Sequence, residues 1–123
     1  MSLNALCRAV SPAMLDCELS FIGREPIDMA LANTQHSAYV QALRTLNVEV
    51  VELPAEAALP DSVFVEDTVL LFDELAVMTR PGALSRRGEV ASIERYAKVR
   101  GVRMRTELHK RRRPAKGICF FIG

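Results

Sequence analysis

The chain has no apolar run approaching the ~18 residues that a membrane span requires. Its opening residues, Met1 to Val10, lack the basic start and long apolar core of a secretion signal. A soluble, intracellular, cytoplasmic protein is therefore expected. Cysteine is sparse: Cys7, Cys17 and Cys119 are an odd set with no C-x-x-C spacing. Such a set builds neither a disulfide framework nor a zinc site and fits free thiols in a reducing compartment. Charge of one sign is also missing. A net charge of +1 gives no general attraction to nucleic acid or an anionic membrane, and neither is expected as a partner. No G-x-G-x-x-G and no P-loop is present, so nucleotide binding has no local support.

What is present is an ordinary globular balance over 123 residues, 50% hydrophobic and 25% charged, enough for one domain with a core. Residues 3–10 read as a strand, with Leu6, Arg8 and Val10 alternating against Cys7 and Ala9, and Ser11-Pro12 ends it. Residues 11–26 form a loop with a short helical turn around 13–17. Its apolar members Leu19, Phe21 and Ile22 either pack down or close over a ligand. Residues 27–46 are the clearest helix, with Ile27, Leu31, Ala38, Ala42 and Leu46 as the apolar stripe, widened by Tyr39 and Leu43. Asn47 supplies its stop. Residues 48–53 are a strand closed by Pro54, making a strand–helix–strand crossover.

Two further strands, 68–72 and 75–79, follow around an Asp73-Glu74 turn. Ser85 is expected to cap a helix over 86–100 with Val90, Ile93 and Ala97 on one face. Gly101 stops it, and 102–108 is a last strand. Two units emerge, residues 3–53 and 68–108, which points to a modular α/β fold rather than a single Rossmann sheet. The tail changes character: Lys110 to Arg113 is basic, read as a solvated run, and Ile118 to Ile122 is apolar.

The chemistry gathers in Leu59-Pro60-Asp61-Ser62-Val63-Phe64-Val65-Glu66-Asp67. If this stretch stays extended, Glu66 and Asp67 point to opposite faces. Val63 to Val65 separates the acids and no glycine provides a bend, so a hard-cation loop is disfavoured. A guanidinium suits them better. Its planar fork matches carboxylates bidentately while Phe64 covers a face. The competing account is structural: one acid caps a turn and another pairs with Arg80. Neither His36 nor His109 pairs with a cysteine by spacing, so no catalytic centre is visible.

These residues also carry a resemblance. The stretch from Leu59 to Asp67, followed by Met78-Thr79-Arg80-Pro81-Gly82-Ala83 and Ser85-Arg86-Arg87-x-Glu89-Val90, is similar to the N-terminal part of the dimethylarginine dimethylaminohydrolase (dimethylargininase) family. Gln35-His36-x-x-Tyr39-Val40 and Val50 to Pro54 extend it, so that it covers roughly residues 5–108. The resemblance implies a pentein α/β-propeller, built of ββαβ modules, of which about two of five are here. It implies hydrolysis of methylated arginine to citrulline and a methylamine, without a cofactor. It implies substrate contacts at Asp61, Glu66 and Asp67, Phe64 lining the pocket, Arg80 on the amino-acid end, and Leu19 in a closing loop.

The sequence departs from the family after 108, where 109–123 is basic rather than acidic and double-glycine. The family's nucleophilic cysteine and its histidine have no match; His36, His109 and Cys119 do not take those places. The expectation is a truncated member, explained by a frameshift or early stop. It would keep a guanidinium half-site, lack activity alone and self-associate through uncovered sheet edges. The alternative is a non-catalytic guanidinium-binding or interaction module.

Overall fold

A computed structural model describes residues 3–72 and 75–105. The elements run β1 (Leu3–Arg8), α1 (Met29–Thr45), β2 (Val48–Leu53), β3 (Val69–Phe72), β4 (Leu75–Met78), α2 (Glu89–Val99) and β5 (Met104–Arg105). The expected Asp73-Glu74 turn, the strand beyond Arg105 and the 109–123 tail lie outside the described residues.

The two units of the sequence are two sheets. β1 and β2 pair in parallel from Leu3↔Val48 to Arg8↔Leu53, with α1 as the crossover between them. β3 and β4 are antiparallel, with Val69 opposite Met78, and β5 joins β4 in parallel, giving the order β3-β4-β5. Leu6 from β1 shares one apolar cluster with Val65, Val69, Ala76, Met78 and Ile93, so the two sheets meet in a common core.

α1 begins where Asp28 accepts a hydrogen bond from the Leu31 N–H at 3.0 Å, satisfying an orphan donor of the first turn. It ends at Asn47, whose φ of 59° is the left-handed conformation that the sequence predicts there. α2 ends in the same way at Gly101, with φ of 70° and with the Val102 N–H reaching back to the Ala97 carbonyl.

Three expectations fail. The inward face of α1 centres on buried Val40 with Ala32, His36, Tyr39 and Leu43 half-buried, so Tyr39 and Leu43 face inward as expected, whereas Leu31, Ala38, Ala42 and Leu46 are exposed, Leu46 by 72%. Both stripes have helical spacing, and periodicity alone does not say which one meets the sheet. In β1, alternation is absent because Ala5, Leu6, Cys7 and Arg8 are all buried. Arg8 is satisfied there by the Pro54 carbonyl (2.9 Å), Ser92 Oγ (2.7 Å) and Glu56 (3.1 Å). Ser85 does not cap α2. A 3-10 turn at Leu84–Arg86 precedes the helix, which starts at Glu89 with Gly88 in the cap position. The Ser85 hydroxyl donates instead to the Glu18 carboxylate.

Candidate guanidinium-binding wall

The acidic stretch is not extended. It winds into successive tight turns, with the Phe64 N–H on the Asp61 carbonyl (3.0 Å), the Asp67 N–H on the Phe64 carbonyl (3.2 Å) and a 3-10 turn at Val65–Asp67. Val63 and Val65 are buried and pin this turn to the core, while the Thr79 N–H bonds the Thr68 carbonyl and ties it to β4. Because the backbone turns, Glu66 and Asp67 do not alternate as on a strand. Glu66 is half-buried and Asp67 is 50% exposed.

Asp61 is buried, and its carboxylate accepts the backbone N–H of Glu18 at 3.0 Å. The base of the 11–26 loop is thereby fastened to the acidic turn. Arg24 fastens it again by donating to the carbonyls of Leu15 and Cys17. Beyond these ties Phe21 is 99% exposed and Ile22 is exposed as well, whereas Leu19, two residues before Phe21, is half-buried. Ser11 and Cys17 of the loop are buried, so its first half packs down while Phe21 and Ile22 do not.

The cation at the wall is one that the sequence reading did not single out. Arg86 Nη1 donates to Asp67 Oδ2 at 2.7 Å, and its Nε and Nη2 donate to the two oxygens of Glu89 at 3.1 and 3.0 Å. The guanidinium carbon stands 5.9 Å from the centre of the Phe64 ring. Glu89 is only 2% exposed. Its pKa is raised by burial, against the pull of Arg86, with Asp61 and Asp67 adding to the rise. Burial works against the charge on Arg86, but the hydrogen bonds it donates to Glu89 and Asp67 outweigh it and hold the group above its ordinary value. The acid expected to pair with Arg80 pairs with Arg86, while Arg80 is exposed and makes no ion pair or hydrogen bond among the described residues. The available signal was the Arg86-x-x-Glu89 spacing at a helix start, where residues three apart meet.

Phe64 also lines a cleft of about 290 Å3 with Val10, Met14 and Val63, closed by Ala32, Gln35, His36 and Tyr39 of α1. Among the described residues His36 Nε2 and Tyr39 Oη are buried without hydrogen-bond partners, and the two rings lie 6.3 Å apart. Cys7 and Cys17 are buried free thiols. Burial pushes the Cys7 thiol up from its usual 9.0, and Glu52 and Glu66 push it further against Arg44. An activated nucleophile needs the opposite shift. The folded chain therefore keeps this proton at a pH where the unfolded chain releases it. Its contribution is complete below pH 9 and is lost as pH rises through the raised value. We expect Cys7 to resist iodoacetamide at pH 8 in peptide-mapped labelling, and Cys7→Ala to flatten the loss of stability above pH 9. Rapid labelling of Cys7 in the folded chain would contradict this.

No protein-family model matches the chain. It is 44% identical over 93 residues to the dimethylarginine dimethylaminohydrolase of Streptomyces coelicolor, which covers 76% of this chain and 36% of that protein. It is 54% identical over 67 residues to the enzyme of the same name from Pseudomonas aeruginosa, covering 54% of this chain and 26% of that one. A solved structure of the Pseudomonas aeruginosa protein, a cysteine-to-serine mutant complexed with citrulline, superimposes with a TM-score of 0.75 at 38% identity, over 85% of this chain and 42% of that one.

The mixed strand–helix architecture and the acidic turn thus place the chain in the pentein class, as part of that propeller-like fold. Within the class, the chain belongs to the dimethylarginine dimethylaminohydrolase family. The match spans about a quarter to a third of the length of these relatives.

Proposed function

We propose that this chain carries the guanidinium-binding wall of a methylarginine pocket, built from Asp61, Phe64, Glu66 and Asp67, with Leu19 in the loop above it. The observation that carries the reading is the turn itself. It gathers three carboxylates and an aromatic ring within seven residues, in a fold whose solved relative is complexed with citrulline. Carboxylates hold a guanidinium through charge-assisted hydrogen bonds, and a ring face adds cation–π attraction. For the amino-acid end of such a ligand Arg80 is the expectation from resemblance, whereas Arg86 is already engaged by Asp67 and Glu89.

We further propose that the 123-residue polypeptide binds without hydrolysing. Among the described residues, both thiols are buried and that of Cys7 is shifted away from reactivity. A cytoplasmic location belongs to the same reading, and among the described residues no helix is long and apolar enough to cross a membrane. Self-association belongs to it too, supported by the exposed Leu3 and Leu70 on strands.

Calorimetry with L-arginine, its Nω,Nω-dimethyl form and citrulline tests the binding. A heat of binding is expected, weakened about tenfold or more by Glu66→Ala, the scale of one charge-assisted hydrogen bond. A citrulline assay on the same sample tests the rest and is expected to be blank. Silence in calorimetry with all three ligands defeats the binding proposal, and steady turnover defeats the claim of inactivity.

A further inference from the structure

We propose that Glu89 is a positioning residue for the acidic wall, acting through Arg86. It touches no ligand. It fixes the guanidinium that in turn fixes Asp67 and covers Phe64. The inference rests on the guanidinium-wall reading and deepens it.

Three observations support it. First, both Glu89 oxygens are engaged by Arg86 in a planar two-bond fork, which sets the plane of the guanidinium as well as its position. With Nε and Nη2 taken, Nη1 is the nitrogen that faces Asp67. Second, the two ion pairs of Arg86 differ in kind. Asp67 is half-exposed, and an exposed pair alone holds a long side chain weakly. Glu89 is buried and has its fork partner beside it, so the inner contact is the one that anchors the group.

Third, Glu89 is itself held from behind. Ser92 Oγ donates to the Glu89 carbonyl at 3.1 Å and accepts from Arg8 Nη2 at 2.7 Å. Arg8 in turn donates to the Pro54 carbonyl and pairs with Glu56. A run of polar contacts thus reaches from the β1–β2 sheet, through the first turn of α2, to Asp67 at the surface. The charged groups acting on Glu89 are Arg86, Asp61 and Asp67, with Arg8 on the far side. A carboxylate that only stabilised the helix start would not need to be aimed at a side chain of the wall.

The test uses the whole 123-residue chain. Nitrogen-15 NMR follows exchange of the Arg86 Nε–H without any ligand. The native chain is expected to protect it, and Glu89→Gln to speed its exchange at least tenfold. Calorimetry with L-arginine then follows Asp67→Asn in two backgrounds. In the native background it is expected to weaken binding about tenfold; in Glu89→Gln, where Asp67 is already loose, it is expected to add little. A role confined to stability would leave the two losses additive, and additivity overturns the proposal. Unchanged Nε–H exchange in Glu89→Gln overturns it as well.

If Glu89→Gln does not fold, Arg86→Lys replaces it. That variant keeps the charge but removes the fork, and it is expected to abolish the added effect of Asp67→Asn in the same way. Should native chain bind no L-arginine, the guanidinium-wall reading falls, while the exchange measurement still decides whether Glu89 fixes Arg86.

Discussion

Arg86→Ala is expected to destabilise the chain by about 3–5 kcal/mol, the range for removing one partner of a buried ion pair. The size follows from what remains. Glu89 is 2% exposed, and without the fork it is a carboxylate facing Asp61 and Asp67, both of which raise its pKa already. It escapes by taking up a proton, so the loss is larger at pH 8 than at pH 5. The sign is that of any acid whose folded-state pKa is raised: the variant gains relative stability as pH falls toward that value. Urea unfolding at the two pH values reads both the loss and its slope. Replacing the pair together, Arg86→Met with Glu89→Met, removes the stranded charge and is expected to recover much of the loss. A loss below about 1 kcal/mol for Arg86→Ala at pH 8 would mean that Glu89 has another partner of comparable strength.

Ile93→Ala is expected to cost about 2–5 kcal/mol, the range for emptying a buried branched side chain. Ile93 is 3% exposed and sits where α2 meets β4 and β5, within the cluster that includes Val65. A cavity there removes the floor under the acidic turn, so the variant is expected to lose guanidine affinity along with stability. Leu46→Ala is the control. It deletes the same kind of side chain from the exposed face of α1 and is expected to change stability by no more than about 0.5 kcal/mol. Urea midpoints for the two variants separate the buried position on α2 from the exposed one at the end of α1. A loss for Leu46→Ala as large as that for Ile93→Ala would contradict the exposure of Leu46.

The elements were largely legible because their signals are local. Val48–Leu53 has its observed bounds in the reading, Asn47 and Gly101 end helices in the conformation their side chains permit, and Ile93 and Ala97 face the core as spaced. What failed required knowledge of neighbours. α1 has two apolar stripes, and only the position of the sheet selects the one through Val40. Arg8 reads as an odd residue on a strand, since Ser92 and Pro54 come to it from far along the chain. At the site, the acids were legible as a cluster, but not their division of labour. Asp61 holds a loop N–H and Asp67 holds Arg86, and both partners arrive by tertiary contact. Ser85 shows the same limit. Its type and position fit a helix cap, yet its hydroxyl is drawn to Glu18, and the helix starts later without it.

The two sheets impose an order of assembly. β3 and β4 are neighbours in sequence, and hairpins of that kind close in microseconds. β1 and β2 are parallel, so Leu3 has to find Val48 across the full length of α1 before any of their hydrogen bonds form. That search bears its loop-closure entropy first and is rewarded late. The hairpin and the helices are therefore early structure and the parallel pair is late structure. Since the Arg8 contacts depend on that pair, the polar run behind Glu89 is expected to form late in folding.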